Sequence, residues 1–184
     1  MIDKPLHRAF CGLVWPERGY PAYYCTLAES IPGKAESFEM GRVKLQIVNE
    51  GAAATFSELT AALELLPKHQ MHKIYTNIEP KFANYIRDFA NWKRERQVNT
   101  QLISTKATSF EASMLKIKEY VKNGRIVFPF GSEIRVQLAS FAKESLKDEV
   151  SLYAVRALAV VLWAFDRRKG EGGMEVVPKI EAWW

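Results

Sequence analysis

Three acidic residues give this chain its most readily predicted chemistry. Glu79 ends an apolar segment that begins at Lys73, and the pair Asp148 and Glu149 opens a long apolar segment that continues to about Arg168. If the first segment is a buried strand and the second a buried helix, the carboxylates can converge at one edge of a sheet. Carboxylates grouped in this way hold divalent cations for phosphodiester cleavage.

The hydrophobic pattern predicts the strands that would position these acids. Short links between the first three strands favour an antiparallel meander, and helical patterns separate the later ones. The order of elements, βββαβαβαα, predicts an α/β domain with a mixed five-stranded sheet and helices on both faces. The predicted strands span residues 7–15, 20–29, 42–48, 73–79 and 100–104.

Local signals predict where several helices begin and end. Thr55-Phe56-Ser57-Glu58 is a capping box that starts one helix, and Asn123-Gly124 is typical of a helix C-cap. The last helix, predicted from Asp148 to about Arg168, is apolar almost all round, so it should be buried. We therefore expect one domain over residues 1–170 and a C-terminal tail over 171–184.

The composition fits a single globular domain. The chain has 184 residues, of which 48% are hydrophobic and 26% charged, and its net charge of +5 permits nucleic-acid binding without requiring it. No apolar run reaches the roughly 20 residues that span a bilayer, and the N-terminus lacks signal-peptide features. A cytoplasmic protein without a membrane partner is expected, in which Cys11 and Cys25 are buried thiols.

Basic residues cluster at the predicted ends of two helices, over residues 93–96 and 116–125. Such clusters can contact the phosphates of a nucleic acid, and each contact would make binding more dependent on salt. Cations at helix C-termini are also favoured by the helix dipole alone. Both interpretations stay open at the level of sequence.

The order of these segments resembles the RNase H-like superfamily over roughly residues 7–165. Over residues 73–165 it resembles, more narrowly, the nuclease domain of phage large terminase subunits. The motifs that carry this likeness are Ile78-Glu79, Ser104-Thr105-Lys106, Val121 to Pro129, and Lys147-Asp148-Glu149-Val150.

The resemblance implies metal-dependent cleavage of double-stranded DNA during viral genome packaging, in the cytoplasm of the host cell. Mg²⁺ or Mn²⁺ would be held by Glu79 and Asp148 with assistance from Glu149, while Lys106 and Arg125 would position the DNA backbone. The G-x-x-x-x-G-K-[ST] motif of a packaging ATPase is absent. By this resemblance the chain corresponds to the nuclease part alone, and the packaging proteins it implies as partners are an ATPase or a portal protein.

The chain departs from the terminase pattern in its first strand. Proteins of that family carry a metal-binding Asp shortly after a Gly, whereas Gly12 is followed here by Leu-Val-Trp. Glu17 and Glu50 are the candidates to replace this ligand. Because two-metal cleavage needs several carboxylates, weak or absent activity is expected. A catalytically inactive DNA-binding or assembly module is the main alternative, and a Holliday-junction resolvase is another.

Overall fold

Six strands and five helices make up the part of the chain that the structure describes. The structure is a computed structural model. It describes residues 9–16, 20–30, 44–64, 71–77, 83–98, 100–103, 109–141 and 153–170. The strands are β1 (Ala9–Val14), β2 (Ala22–Ser30), β3 (Lys44–Ala53), β4 (Met71–Thr76), β5 (Thr100–Leu102) and β6 (Ile126–Val127). The helices are α1 (Phe56–Leu63), α2 (Ala83–Glu95), α3 (Phe110–Lys122), α4 (Glu133–Phe141) and α5 (Tyr153–Gly170).

The strands form one mixed sheet in the order β5-β4-β1-β2-β3-β6. β2 is antiparallel to both β1 and β3, so the predicted meander is confirmed. β4 pairs with the other side of β1 in parallel, and β5 continues in parallel beyond it. The sheet thus contains the five predicted strands and a sixth, two-residue strand that runs parallel to β3.

The two faces of the sheet are covered by different helices, as the α/β prediction required. On one face, Phe10 and Val14 of β1 belong to a core that includes residues of α3, α4 and α5. On the other face, Cys11 and Leu13 pack in a second core with residues of α1 and with Phe89 of α2. Alternate residues of a strand point to opposite faces, so β1 contributes to both cores.

Cys11 and Cys25 are fully buried free thiols, as predicted. They lie on adjacent strands, but Cys25 is opposite Gly12 in the ladder rather than opposite Cys11. The two sulfur-bearing side chains therefore belong to the cores on opposite faces of the sheet. Burial raises the pKa of the Cys11 thiol to about 12 and that of Cys25 well above its ordinary value.

Helix α5 is the central packing element on its face of the sheet. From Ala154 to Leu162 every side chain except Arg156 is buried, which confirms the predicted buried helix. Its predicted beginning at Asp148 lies outside the described residues, as does the predicted tail over 171–184. None of the helices in the described ranges combines the length and the apolarity needed to cross a membrane.

Two predicted helix ends are confirmed by their capping geometry. The hydroxyl of Thr55 accepts a hydrogen bond from the N–H of Glu58 at 3.2 Å, and the Glu58 carboxylate accepts one from the N–H of Ala54 at 2.8 Å. After α3, Gly124 adopts a φ of 61°, a left-handed conformation that glycine takes without strain. These caps place α1 directly after β3, and α3 directly before β6.

Candidate functional site

Most of the residues predicted to form the site lie outside the described residues. The elements that lead to them in the chain are described, because β4 precedes Glu79 and α5 follows Asp148. Of the residues singled out from the sequence, Arg125 and Glu50 are described. Those outside the described ranges are Glu17, Glu79, Lys106, Asp148 and Glu149.

The carboxyl ends of β1 and β4 lie side by side. The two strands are parallel, and Leu13 stands opposite Thr76 in the ladder. Beyond the last pair, Asn77 donates its N–H to the carbonyl of Leu13 at 3.4 Å, and its Oδ1 accepts a hydrogen bond from the N–H of Trp15 at 3.1 Å. These bonds fasten the end of β4 to the end of β1. The chain therefore leaves β4 at the edge where the predicted site requires it.

The first described turn of α5 lies at this same edge. The ring of Tyr153 stacks on the ring of Tyr23 with centroids 5.3 Å apart and planes inclined by 19°. Tyr23 is in turn opposite Val14, the last residue of β1. The described part of α5 thus begins above the end of β1, and the contact of Tyr153 with Tyr23 of β2 holds it there.

The described residues at this edge do not fit a two-metal centre. Val14, which shares with Gly12 the face of β1 beneath α5, is 0% exposed and belongs to the apolar core. No group of three or more His, Cys, Asp or Glu side chains that could hold a metal ion occurs within the described ranges. Mg²⁺ and Mn²⁺ are held mainly by carboxylate and other oxygen ligands. An apolar side chain such as Val14 cannot supply one.

A cation lies beside the tyrosine pair. The guanidinium carbon of Arg156 is 5.3 Å from the centre of the Tyr153 ring, within the range of a cation–π contact. The ring of Tyr153 thus contacts both Tyr23 and Arg156, and we call these three residues the Tyr-Arg stack. No local sequence pattern predicts this stack, because Tyr23 is remote in the chain from Tyr153 and Arg156. Arg156 itself was detectable, as a charged residue inside an otherwise apolar helical segment.

Glu50, a candidate for the missing first-strand ligand, caps helix α4 instead. Its carboxylate accepts hydrogen bonds from the hydroxyl of Ser132 at 3.0 Å, from the N–H of Ile134 at 3.4 Å and from the N–H of Glu133. An anion at a helix N-terminus is stabilised by the free N–H groups and by the helix dipole. Glu50 lies on β3, two strands and about 10 Å from β1, so the structure does not bring it to the end of β1.

Arg125 lies at the opposite end of the strands, beside the start of β3. Its carbonyl accepts the N–H of Leu45 near the start of β3, and its guanidinium carbon sits 4.4 Å from the centre of the Tyr120 ring. Leu45 is paired with Glu29, which lies about 20 Å along β2 from Tyr23 at the usual rise per residue. The structure does not bring Arg125 to the edge where β1 and β4 end, so a DNA contact by Arg125 stays a prediction.

The basic clusters over residues 93–96 and 116–125 differ in whether their side chains contact other elements of the fold. In the first, Arg96 forms an ion pair with Glu64 at 2.8 Å. Lys93 donates a hydrogen bond of 2.8 Å to the hydroxyl of Thr100, the first residue of β5. Both contacts tie α2 to neighbouring elements. In the second, Lys118 and Lys122 are exposed and stand one turn apart on α3. The second cluster is therefore the better candidate for a solvent-facing basic surface.

The candidate site is thus the edge of the sheet at which β1 and β4 end and α5 begins, with Val14 and the Tyr-Arg stack as its described residues. Comparisons of the chain with protein-family models, with curated proteins and with solved structures found no match. The function of the protein is therefore inferred from the geometry of this edge.

Proposed function

We propose that this chain is an RNase H-like domain of the terminase-nuclease type that binds double-stranded DNA without cleaving it. The observation that carries this proposal is the position of β1. It lies within the sheet between antiparallel β2 and parallel β4, beneath the last helix, yet it ends in a buried valine. A nuclease of this type would have a carboxylate at that end of the strand.

The strand order supports the RNase H-like part of the proposal. The element order on which the superfamily resemblance rests begins with an antiparallel meander of three strands and continues with two later strands separated by helices. β1, β2 and β3 form the meander, and β4 and β5 are the parallel additions. The packing of α5 against β1 and β2 agrees with a last helix that covers the centre of the sheet.

The loss of cleavage follows from the ligands that this edge offers. A two-metal mechanism needs carboxylates that bridge both cations, and Val14 occupies the end of the strand that should provide one. Glu50 is engaged at the start of α4 and stands two strands away. We therefore derive no cleavage step for this domain.

The charge distribution supports the DNA-binding part of the proposal. The chain has a net charge of +5, and its described surface carries a cation, Arg156, at the edge where β1 ends. Duplex DNA attracts such surfaces through its phosphates, with affinity that falls as salt rises. A domain that holds DNA without cutting it would serve genome packaging as an assembly module, with an ATPase or portal protein as partner.

Two assays on the purified full chain test this proposal. Fluorescence anisotropy with a labelled duplex should show binding that weakens with salt. Supercoiled plasmid incubated with Mn²⁺ should remain uncut at protein concentrations that saturate the duplex. Absence of binding at low salt would refute the DNA-binding role. Cutting of the plasmid would refute the non-catalytic one.

A metal-dependent endonuclease is the second candidate, and one observation favours it. The end of β4, which precedes Glu79, and the start of α5, which follows Asp148, meet at the same edge. If the domain cuts DNA, Glu79→Ala should abolish cutting in Mn²⁺. Glu111→Ala is the matched control, because Glu111 is an exposed acid on α3. Cutting lost in the first variant and kept in the second would establish the nuclease.

A further inference from the structure

We infer that the Tyr-Arg stack is the phosphate-binding element of this edge, and that Arg156 supplies there the positive charge that metal cations supply in a two-metal nuclease. The inference rests on the proposed function and names the DNA contact of that site. The ligand is a phosphodiester group of the duplex backbone, which the guanidinium of Arg156 would bind through charge-assisted hydrogen bonds.

The stack holds the guanidinium in a defined place. Tyr23 is anchored in β2, Tyr153 lies on it at 5.3 Å, and Arg156 lies over Tyr153 at 5.3 Å. All three side chains are partly buried rather than freely exposed. A planar guanidinium held against an aromatic ring loses less conformational freedom when it binds a phosphate than a free side chain does. The arrangement is therefore suited to recognise an anion.

The charge of Arg156 is not neutralised by the described part of the fold. No described carboxylate forms an ion pair with Arg156. Its Nε is enclosed without a hydrogen-bond partner, whereas its terminal nitrogens are not among the enclosed unpartnered atoms of the described residues. The terminal nitrogens would therefore make the phosphate contact.

The setting of Arg156 in α5 argues against a purely structural role. The residues from Ala154 to Leu162 around it are buried and apolar, and a partly buried cation there costs free energy that an apolar side chain would not. An unbranched apolar residue would pack on Tyr153 equally well. An anionic ligand at this edge would offset the cost of the charge.

The exposed lysines of α3 provide an internal comparison. Lys118 and Lys122 lie in the half of α3 that leads into β6, beside the start of β3. The Tyr-Arg stack lies at the other end of the sheet, beside the end of β1. A duplex bound at the edge of β1 and β4 would meet Arg156, while Lys122 would contribute only through the general field of the protein.

The test measures the affinity of the full chain for a labelled duplex over a series of salt concentrations. Arg156→Gln and Arg156→Met should both weaken binding, and both should reduce the slope of log affinity against log salt by about 0.9, the value for one lost phosphate contact. If Arg156→Gln fails to fold, Arg156→Met still provides the test, because its unbranched apolar side chain preserves packing on Tyr153. Arg156→Lys should retain most of the slope. Lys122→Gln, which removes one charge at the other end, should leave the slope unchanged.

The outcomes separate this inference from the proposed function. If the wild-type chain does not bind duplex DNA at low salt, the proposed function fails, and this inference fails with it. If the wild type binds but Arg156→Met keeps the wild-type slope, only the inference fails. An equal reduction of the slope in Lys122→Gln would also overturn it, because a diffuse positive field would then account for binding.

Discussion

The backbone of Gly12 lies directly against the carbonyl oxygen of Ala157. A Cβ atom on Gly12 would stand 2.0 Å from that oxygen and 3.1 Å from the backbone nitrogen of Val161. β1 and α5 therefore cross with no side chain between them, which only glycine permits. This crossing sets how closely α5 lies over β1, and hence how Tyr153 meets Tyr23.

Gly12→Ala should strongly destabilise the fold. The atoms that a Cβ would meet belong to the backbone of a buried helix, so the clash can be relieved only by moving α5. We expect a loss of about 3 kcal/mol in the free energy of unfolding, at the upper end of the usual cost of overpacking. Urea denaturation followed by circular dichroism measures it.

Gly124→Ala is the matched control for that substitution. A Cβ at Gly124 would meet nothing within 4 Å, and its cost comes only from the φ of 61°. That cost is about 1 kcal/mol for an alanine in the left-handed region. A Gly12→Ala protein no less stable than Gly124→Ala would show that α5 does not pack on β1 as described.

Val14→Asp tests whether the edge retains a metal site. A carboxylate at this fully buried position has no described partner, so we expect a loss of about 3–5 kcal/mol, as for an uncompensated buried charge. Because Arg156 already supplies a positive charge beside this edge, Mn²⁺ should not restore the melting temperature. Val14→Asn, which cannot carry the charge, is the control. Recovery by Mn²⁺ of the Asp variant alone would mean that Glu79 and Asp148 complete a metal centre.

Glu50→Ala should destabilise the start of α4. The substitution removes the acceptor for Ser132, Glu133 and Ile134, and we expect a loss of about 2 kcal/mol, in the range of a strong helix cap. Amide exchange at Glu133 and Ile134 should accelerate more than exchange in α5. Glu50→Gln keeps one carbonyl acceptor and should lose less. Unchanged stability with loss of Mn²⁺-dependent cutting would instead make Glu50 a metal ligand.

The fold should lose stability in alkaline solution because of its buried thiols. Burial raises the pKa of Cys11 from 9.0 to about 12, and Cys25 shifts in the same direction. Above pH 9 the unfolded chain releases thiol protons that the native protein keeps, so the free energy of unfolding falls as pH rises. The contribution approaches about 1.4 kcal/mol per pH unit for each thiol.

Urea denaturation between pH 8 and about pH 11 measures this loss, with the Cys11→Ala, Cys25→Ala double variant as the control. The double variant should show a shallower decline over the same interval. In the native wild type, a thiol reagent should react slowly with both cysteines and rapidly after unfolding. Equal slopes in the two proteins would contradict the described burial.

Much of the secondary structure was predictable, because its signals are local. The capping box at Thr55 and Glu58 and the C-cap at Gly124 each involve residues within one turn of each other, and both were confirmed. The buried character of α5 was also predictable, since a helix that is apolar on all sides has no face for water. The short strand β6 was not among the predicted strands, since its pairing with β3 is remote in sequence.

The candidate site was predictable only in part. The elements that lead to Glu79 and Asp148 do meet at one edge, as the alternation of strands and helices indicated. The engagement of Glu50 by α4 and the position of Arg125 on Tyr120 were not foreseen. Each depends on contacts between segments that no local pattern connects.

The sequence by itself determined the order of the elements, several of their ends, the burial of α5 and the absence of an acid from the first strand. Those properties depend on residue types and on short-range spacing. The tertiary structure decided which helices cover each face, that Cys11 and Cys25 lie on opposite faces, and that Tyr23, Tyr153 and Arg156 form one stack. Strand register and helix placement arise from packing between distant segments, which local periodicity does not encode.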